Sequence, residues 1–172
     1  EIFKSIIPEI SKRNYKGILL IVSNPVDIMT YTALKLSGLP SNQVFGSGTV
    51  LDTARLKYLL GEHLGVDARS VHAFILGEHG DSEIAAFSSA NVSGIELKKF
   101  CDFACKTDKH EDSMKEISED LKLSAYEIIK KKGATYYGIA MSVRRLCDAI
   151  ILDQKTRLPI SCVQNGKNAI EN

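Results

Sequence analysis

Three side chains in this 172-residue sequence could together do acid–base and anion chemistry: Asp52, Arg55 and His79. His79 stands in Gly77-Glu78-His79-Gly80-Asp81-Ser82, where the neighbouring glycines permit close backbone approach and unusual dihedrals. Histidine titrates near neutrality, and a buried carboxylate can hold its tautomer and stabilise its charged form. Asp52 and Arg55 lie three apart in Gly46-Ser47-Gly48-Thr49-Val50-Leu51-Asp52-Thr53-Ala54-Arg55, on one face of a predicted helix. Taken singly, each has an ordinary explanation: a structural histidine, and an i,i+3 ion pair with its carboxylate favoured by the helix dipole. Taken together, they offer a proton donor held by a carboxylate and a guanidinium able to grip a carboxylate through two hydrogen bonds. In a third segment, Val22-Ser23-Asn24-Pro25-Val26-Asp27, an apolar strand ends in a polar loop that carries the Asn24 amide, although Asn-Pro is equally a plain turn initiator.

The elements that must position these groups follow from periodicity. Ile2, Phe3, Ile6, Ile7 and Ile10 recur at helical spacing, and after Gly17 comes the unbroken apolar run Ile18 to Val22. A helix followed by a fully buried strand predicts a parallel sheet covered on both faces. A helix over about 27–37 ends at Gly38 with Pro40 beyond it. Val44 and Phe45 lead as a strand into the glycine-rich turn, and a helix over 51–64 is closed by Gly65. A single strand over 71–76 delivers the chain to His79. A charged helix over about 108–132 shows an apolar face of Ile117, Leu121, Ala125, Ile128 and Ile129. Gly133 interrupts it before a second helical stretch through Ile139, Val143 and Leu146. Leu158 to Val163, followed by Asn165-Gly166, predicts a strand entering a hairpin turn. In open α/β sheets ligands sit beyond the carboxyl ends of the strands, which is where Asn24 falls.

Composition excludes several classes. The net charge is +1, from 22 basic and 21 acidic residues with no dense basic run, so neither a nucleic acid nor a membrane surface is the expected partner. No apolar run approaches the roughly 20 residues of a membrane helix, and no signal-like segment opens the chain, which points to a cytoplasmic protein. Cys101, Cys105, Cys147 and Cys162 show no CxxC spacing. Cys101 and Cys105 stand four apart on a predicted helix, but no further Cys or His completes a ligand set, so no metal is expected.

The three chemical segments, taken in order, resemble the lactate dehydrogenase family, and nearly the whole chain can be followed along it. The resemblance implies NAD-dependent reduction of pyruvate to L-lactate, as in glycolysis and pyruvate fermentation. His79 would protonate the carbonyl oxygen, Asp52 would orient His79, and Arg55 would pair with the substrate carboxylate. Asn24 and Ser47 match family positions near the nicotinamide and substrate, and Val22 matches one whose backbone contacts the nicotinamide ring. Thr135 matches the threonine lining the substrate pocket, where simple packing after the helix break is the plain alternative. Lys57 and His72 match a basic pair that binds fructose 1,6-bisphosphate between subunits of many bacterial relatives. The family more typically has arginine at Lys57, so the planar fork is lost while the charge is kept. Solvated surface charge is the other reading of that pair. The family usually forms homotetramers.

The expected architecture is a Rossmann-type doubly wound remnant over 1–47, followed by an α+β substrate domain over 48–172. The resemblance begins inside the dinucleotide-binding domain and stops before the last C-terminal elements. The Gly-rich pyrophosphate turn, the ribose-binding acid and the mobile-loop arginine are not found, so residues 1 to 172 alone are expected to be inactive. A malate dehydrogenase of the lactate-like branch, or a dehydrogenase of another 2-hydroxy acid, would use the same Asp52, Arg55 and His79. Glu78 before His79, and Thr135 in its Gly-Ala-Thr context, favour lactate. From other classes, a hydrolase triad of Ser82, His79 and Asp52 lacks a nucleophile elbow. A noncatalytic oligomerisation or binding fragment is the remaining alternative.

Overall fold

In a computed structural model, which describes residues 1–104 and 110–164, the chain forms two compact units. The first comprises residues 1–48 and the segment from Ile160 onward, and the second runs from Thr49 to Pro159.

The first unit contains α1 (Ile2–Ser11), β1 (Leu19–Ile21), α2 (Val26–Ser37) and β2 (Val44–Gly46). The two strands pair in parallel, with Leu19 opposite Val44 and Ile21 opposite Gly46, and α2 connects them. Parallel neighbours need such a crossover, so the β–α–β order read from the sequence yields a piece of doubly wound sheet. Ile7, Ile21, Ala33 and Val44 bury one core between the helices and the strands. The α2 helix stops at Gly38, whose φ of 62° is the left-handed conformation that ends a helix without a Cβ penalty. Gly46 is required by space: a Cβ there would collide with the Thr30 hydroxyl and come within 3.0 Å of Val26 and Ser161.

The second unit contains α3 (Val50–Leu64), β3 (Val71–His72), β4 (Ile75–Leu76), β5 (Ile84–Ala85), β6 (Asn91–Val92), β7 (Ile95–Glu96), α4 (Leu97–Ala104), α5 (His110–Lys132) and α6 (Tyr137–Ile151). Short antiparallel sheets of order β3-β6-β7 and β4-β5 pack with the helices in an α+β arrangement. Its core combines three periodicities. Leu56, Leu60 and Leu64 repeat every four residues along α3, and Met114, Ile117 and Leu121 repeat at three and four along α5. Val71, Ala73 and Ile75 alternate along the extended chain between them.

Two sequence expectations are corrected. Residues 71–76 are not one strand: β3 pairs with β6 and β4 pairs with β5, in separate sheets. The inward alternation of Val71, Ala73 and Ile75 runs through both, because burial periodicity records the face turned to the core and not the hydrogen-bonding partner. The strand expected over 158–163 is reduced to one antiparallel bridge, Ser161 to Gly46. Pro159 has no N–H to extend a ladder, and its carbonyl instead accepts from Thr49 N at 3.1 Å. The expected turn at Asn165-Gly166, Cys105 and the first residues of the 108–132 helix lie outside the described residues.

The strand that leads to His79 is fixed from α3. Thr53 Oγ1 accepts from Ile75 N at 2.9 Å, and Thr49 Oγ1 donates to Ile75 O at 2.6 Å, so two buried threonines hold both polar groups of one buried residue. Thr53→Val keeps the shape but strands the Ile75 N–H, and an unpaired buried donor costs about 1–3 kcal/mol. Urea unfolding of the variant is expected to show a loss of that size, whereas unchanged stability would mean that the N–H had found another partner.

Candidate active site

Asp52 lies in the first turn of α3, where the helix dipole favours a negative charge. Its side chain is 5% exposed, and a carboxylate so removed from water needs close partners. Nδ1 of His79 lies 2.6 Å from Asp52 Oδ2. Arg55 Nη1, one turn further along α3, lies 3.3 Å from Oδ1. The Asp52, Arg55 and His79 predicted to act together are therefore brought together.

His79 is carried by the loop between β4 and β5. Gly77 and Gly80 have φ of 93° and 140°, conformations that L side chains rarely adopt, while a Cβ at Gly80 would meet nothing within 4 Å. The glycines there supply backbone freedom rather than space. The loop is tied to α5, since Tyr126 donates its hydroxyl to the Asp81 carboxylate at 3.1 Å and Lys122 Nζ donates to the Asp81 carbonyl at 3.0 Å. Nδ1 is the ring nitrogen turned to Asp52, which fixes the orientation of the ring.

Asp52, Arg55 and His79 line a cavity of about 210 Å³ within the second unit. Leu121, Ala125 and Ile129 of α5 provide its apolar wall. The cavity thus sets one guanidinium, one imidazole and the Lys122 ammonium beside the acidic side chains of Asp52, Asp81 and Glu83, with a nonpolar surface opposite them. Thr135, in the turn between α5 and α6, and Ser82, which a hydrolase would need as nucleophile, are not among the lining residues.

Sequence reasoning missed Glu83. It stands four residues beyond His79, and its ligand atom, those of Asp52 and of His79 all lie within 4.8 Å of one another. Burial first, and then the nearby Asp52 charge, push its carboxyl up to about 7, against a smaller opposing effect of His79. An acid four residues beyond His79 was the available signal.

In the first unit, Val22 and Asn24 follow directly on β1, and Ser47 follows directly on β2. Ser47 N donates to Ile21 O at 2.8 Å, which holds the ends of the two strands in register. All three residues therefore stand at the carboxyl edge of the parallel pair, the edge at which open α/β sheets bind ligands. Val22 and Asn24 are exposed there, and Ser47 is buried.

Lys57 and His72 line a second cavity, of about 300 Å³, beside Thr53 and Ala54 of α3. Arg145 and Arg157 join them. These two arginines were not singled out in the sequence, because no local pattern brings positions 88 and 100 residues beyond Lys57 to its side.

Comparison with known proteins accounts for this combination. Residues 49–172 match the lactate/malate dehydrogenase alpha/beta C-terminal domain, and residues 1–46 match the lactate/malate dehydrogenase NAD binding domain. The chain belongs to the lactate/malate dehydrogenase family. It is 54% identical over 167 residues to the L-lactate dehydrogenase of Acetivibrio thermocellus, covering 97% of this chain and 52% of that protein. It is 50% identical over 171 residues to L-lactate dehydrogenase 1 of Clostridium acetobutylicum, covering 99% of this chain and 54% of that protein. A crystal structure of the minor L-lactate dehydrogenase from Enterococcus mundtii superposes with a TM-score of 0.92 at 41% identity, covering 99% of this chain and 54% of the other. A lactate dehydrogenase from a Medee basin deep-sea metagenome library gives 0.93 at 44%, again covering 99% of this chain and 54% of the other. The chain therefore spans about half the length of the relatives it matches.

Glu83 also ties the site of this family member to stability. Its carboxyl ionises near 4.5 in an unfolded chain and near 7 in the fold, so its favourable contribution is full below about pH 4.5 and is lost as the pH rises to about 7. Glu83→Gln removes that dependence. The stability of the variant relative to the parent is expected to increase from pH 5 to about pH 7 and then level off in denaturant titrations, and a difference independent of pH would contradict the raised proton affinity.

Proposed function

We propose that the protein acts as an NAD-dependent L-lactate dehydrogenase that interconverts pyruvate and L-lactate. The observation that carries this reading is the Asp52–His79 contact of 2.6 Å with Arg55 lining the same cavity.

The chemistry follows from what each side chain can do. Arg55 presents a planar fork, and with Nη1 turned to Asp52 its other N–H groups serve the carboxylate of a 2-keto acid through parallel, charge-assisted bonds. This grip directs the keto group toward the imidazole. His79, as imidazolium, gives its Nε2 proton to the keto oxygen as the carbonyl carbon is reduced, and the product is the 2-hydroxy acid. Asp52 holds the ring in one tautomer and stabilises the charge that the ring carries before transfer. In the reverse direction the neutral imidazole accepts the hydroxyl proton. No covalent intermediate is required: positioning and charge complementarity supply the catalysis.

The cofactor reading rests on the carboxyl edge of β1 and β2. Exposed Val22 and Asn24, with Ser47 beside them, fit the nicotinamide end of NAD, where the Val22 backbone and the Asn24 amide are the groups that would hold it. When bound there, the reduced nicotinamide supplies the hydride. Thr135 belongs to the substrate side of this reading, as the match of the threonine that lines the family's substrate pocket.

The same reading makes the enzyme cytoplasmic and homotetrameric, acting in glycolysis and pyruvate fermentation. Among the described residues no helix is long and apolar enough to cross a membrane, and Met141, Ile151 and Leu152 on and after α6 offer exposed apolar surface for subunit contact. Fructose 1,6-bisphosphate is the effector proposed for the cavity of Lys57 and His72, and four basic side chains around one cavity support an anionic ligand.

The direct test is NADH oxidation by protein expressed from the complete reading frame, with pyruvate and oxaloacetate compared side by side. Preference for pyruvate is expected, and preference for oxaloacetate would move the enzyme to the malate branch with the mechanism unchanged. His79→Gln is expected to lower kcat by about 10²–10⁴-fold. Arg55→Lys, which keeps the charge but loses the fork, is expected to act mainly through KM for pyruvate. For the effector, replacement of both Lys57 and His72 by alanine should abolish activation by fructose 1,6-bisphosphate, and activation that survived would end that part of the proposal.

A further inference from the structure

The pair that donates the proton has a third neighbour to which the reaction gives no task. Glu83 brings a carboxyl group into the cluster of Asp52 and His79, with ligand atoms mutually within 4.8 Å. Its Oε2 is shielded from solvent and has no hydrogen-bond partner among the described residues. Two carboxyl groups this close, beside the apolar wall of α5, cannot both carry charge without a large penalty. The structure thus places a switchable charge directly beside the proton donor.

Other charged and titratable groups face the same cavity and are largely occupied. Arg55, from α3, is drawn to Asp52 Oδ1. Asp81, in the loop, accepts from Tyr126 of α5, and Lys122 of α5 is bound to the Asp81 carbonyl. Glu83 therefore interacts chiefly with Asp52, His79 and the Gly80 backbone, and burial together with Asp52 raises its carboxyl to about 7.

We propose that Glu83 is a positioning residue that sets the proton affinity of His79, adding a second negative charge beside the imidazole when ionised and withdrawing it when neutral. As the neutral acid, Glu83 leaves Asp52 as the one carboxylate acting on the ring, so the imidazolium gives up its proton more readily. As the carboxylate, it holds the proton on the ring to higher pH. Glu83 lines the same cavity but exchanges no proton with substrate or cofactor in this scheme. The two groups titrate as a pair, so their midpoints belong to the pair.

The inference deepens the pyruvate-reducing reading and rests on it for its kinetic consequence only. The test is the pH titration of the His79 ring nitrogens by NMR, in the complete protein and in its Glu83→Gln variant. In parallel, the pH profile of kcat/KM for pyruvate reduction is recorded for both. The imidazole midpoint and the alkaline limb are expected to fall together, by about half to one pH unit, a roughly three- to tenfold loss of proton affinity. An unmoved or raised imidazole midpoint would overturn the proposal, as would a lower rate with an unchanged profile, the mark of a merely structural role. The NMR arm reads His79 whether or not pyruvate is a substrate, so absence of turnover in the parent protein would count against the assigned function alone. Should the variant fail to fold, difference infrared spectroscopy on the unaltered protein decides. A protonated carboxyl band lost as the pH rises through neutrality is expected, and its absence at pH 6 would overturn the idea.

Discussion

A carboxylate withdrawn from water is the constraint around which the second unit is organised. Asp52 is 5% exposed, and an isolated charge in that position would cost several kcal/mol. Its partners arrive from two directions: Arg55 comes one turn along the same helix, whereas His79 comes from a loop 27 residues away. The first partner needs only helical geometry. The second requires that a strand be aimed at the helix, that the chain turn sharply at its end, and that the turn be held there. The threonine contacts on Ile75, the positive φ values of Gly77 and Gly80, and the anchoring of Asp81 by α5 meet these three requirements in turn.

Helix α3 serves all of these contacts because its faces are separated by residue spacing. Leu56, Leu60 and Leu64 enter the core, Asp52 and Arg55 face the first cavity, and Thr53 and Lys57, one turn apart, line the second. Thr53 belongs to two structures at once, since it borders the basic cavity and its hydroxyl holds the N–H of Ile75 on the strand that leads to His79. A ligand in the basic cavity would thus be two contacts from the strand that leads to His79. Proximity of this kind supplies a route for coupling, but the free energy of coupling comes from whatever two arrangements of α3 the ligand distinguishes.

Much of this was legible in the sequence where the information is local. The spacing of Leu56, Leu60 and Leu64, or of Ile117 and Leu121, records a helix face directly, and the glycines at 38 and 65 mark helix ends by the conformation they permit. The Asp52, Arg55 and His79 set was legible because its residue types make sense only together. What escaped depends on contacts remote in sequence. The change of pairing partner between β3 and β4 leaves the alternation of Val71, Ala73 and Ile75 intact, so no pattern reveals it. Arg145 and Arg157 reach Lys57 only through the tertiary fold. Glu83 reads as an ordinary polar residue until burial and the Asp52 charge are known, and those two quantities decide its protonation.

The cluster around Asp52 and the carboxyl-edge set are built by different cores. Asp52, Arg55, His79 and Glu83 owe their geometry to α3, α5 and the β4–β5 loop, packed on the cluster that contains Leu56, Ile75 and Leu121. Val22, Asn24 and Ser47 owe theirs to β1 and β2, packed on Ile7, Ile21, Ala33 and Val44. The electrostatics of the imidazole can therefore be adjusted by residues of the second unit, such as Glu83, without disturbing the strand ends of the first. Single substitutions around the β4–β5 loop can thus change the pH response of the imidazole, because desolvation and charge effects are strongest for the groups packed directly against the ring.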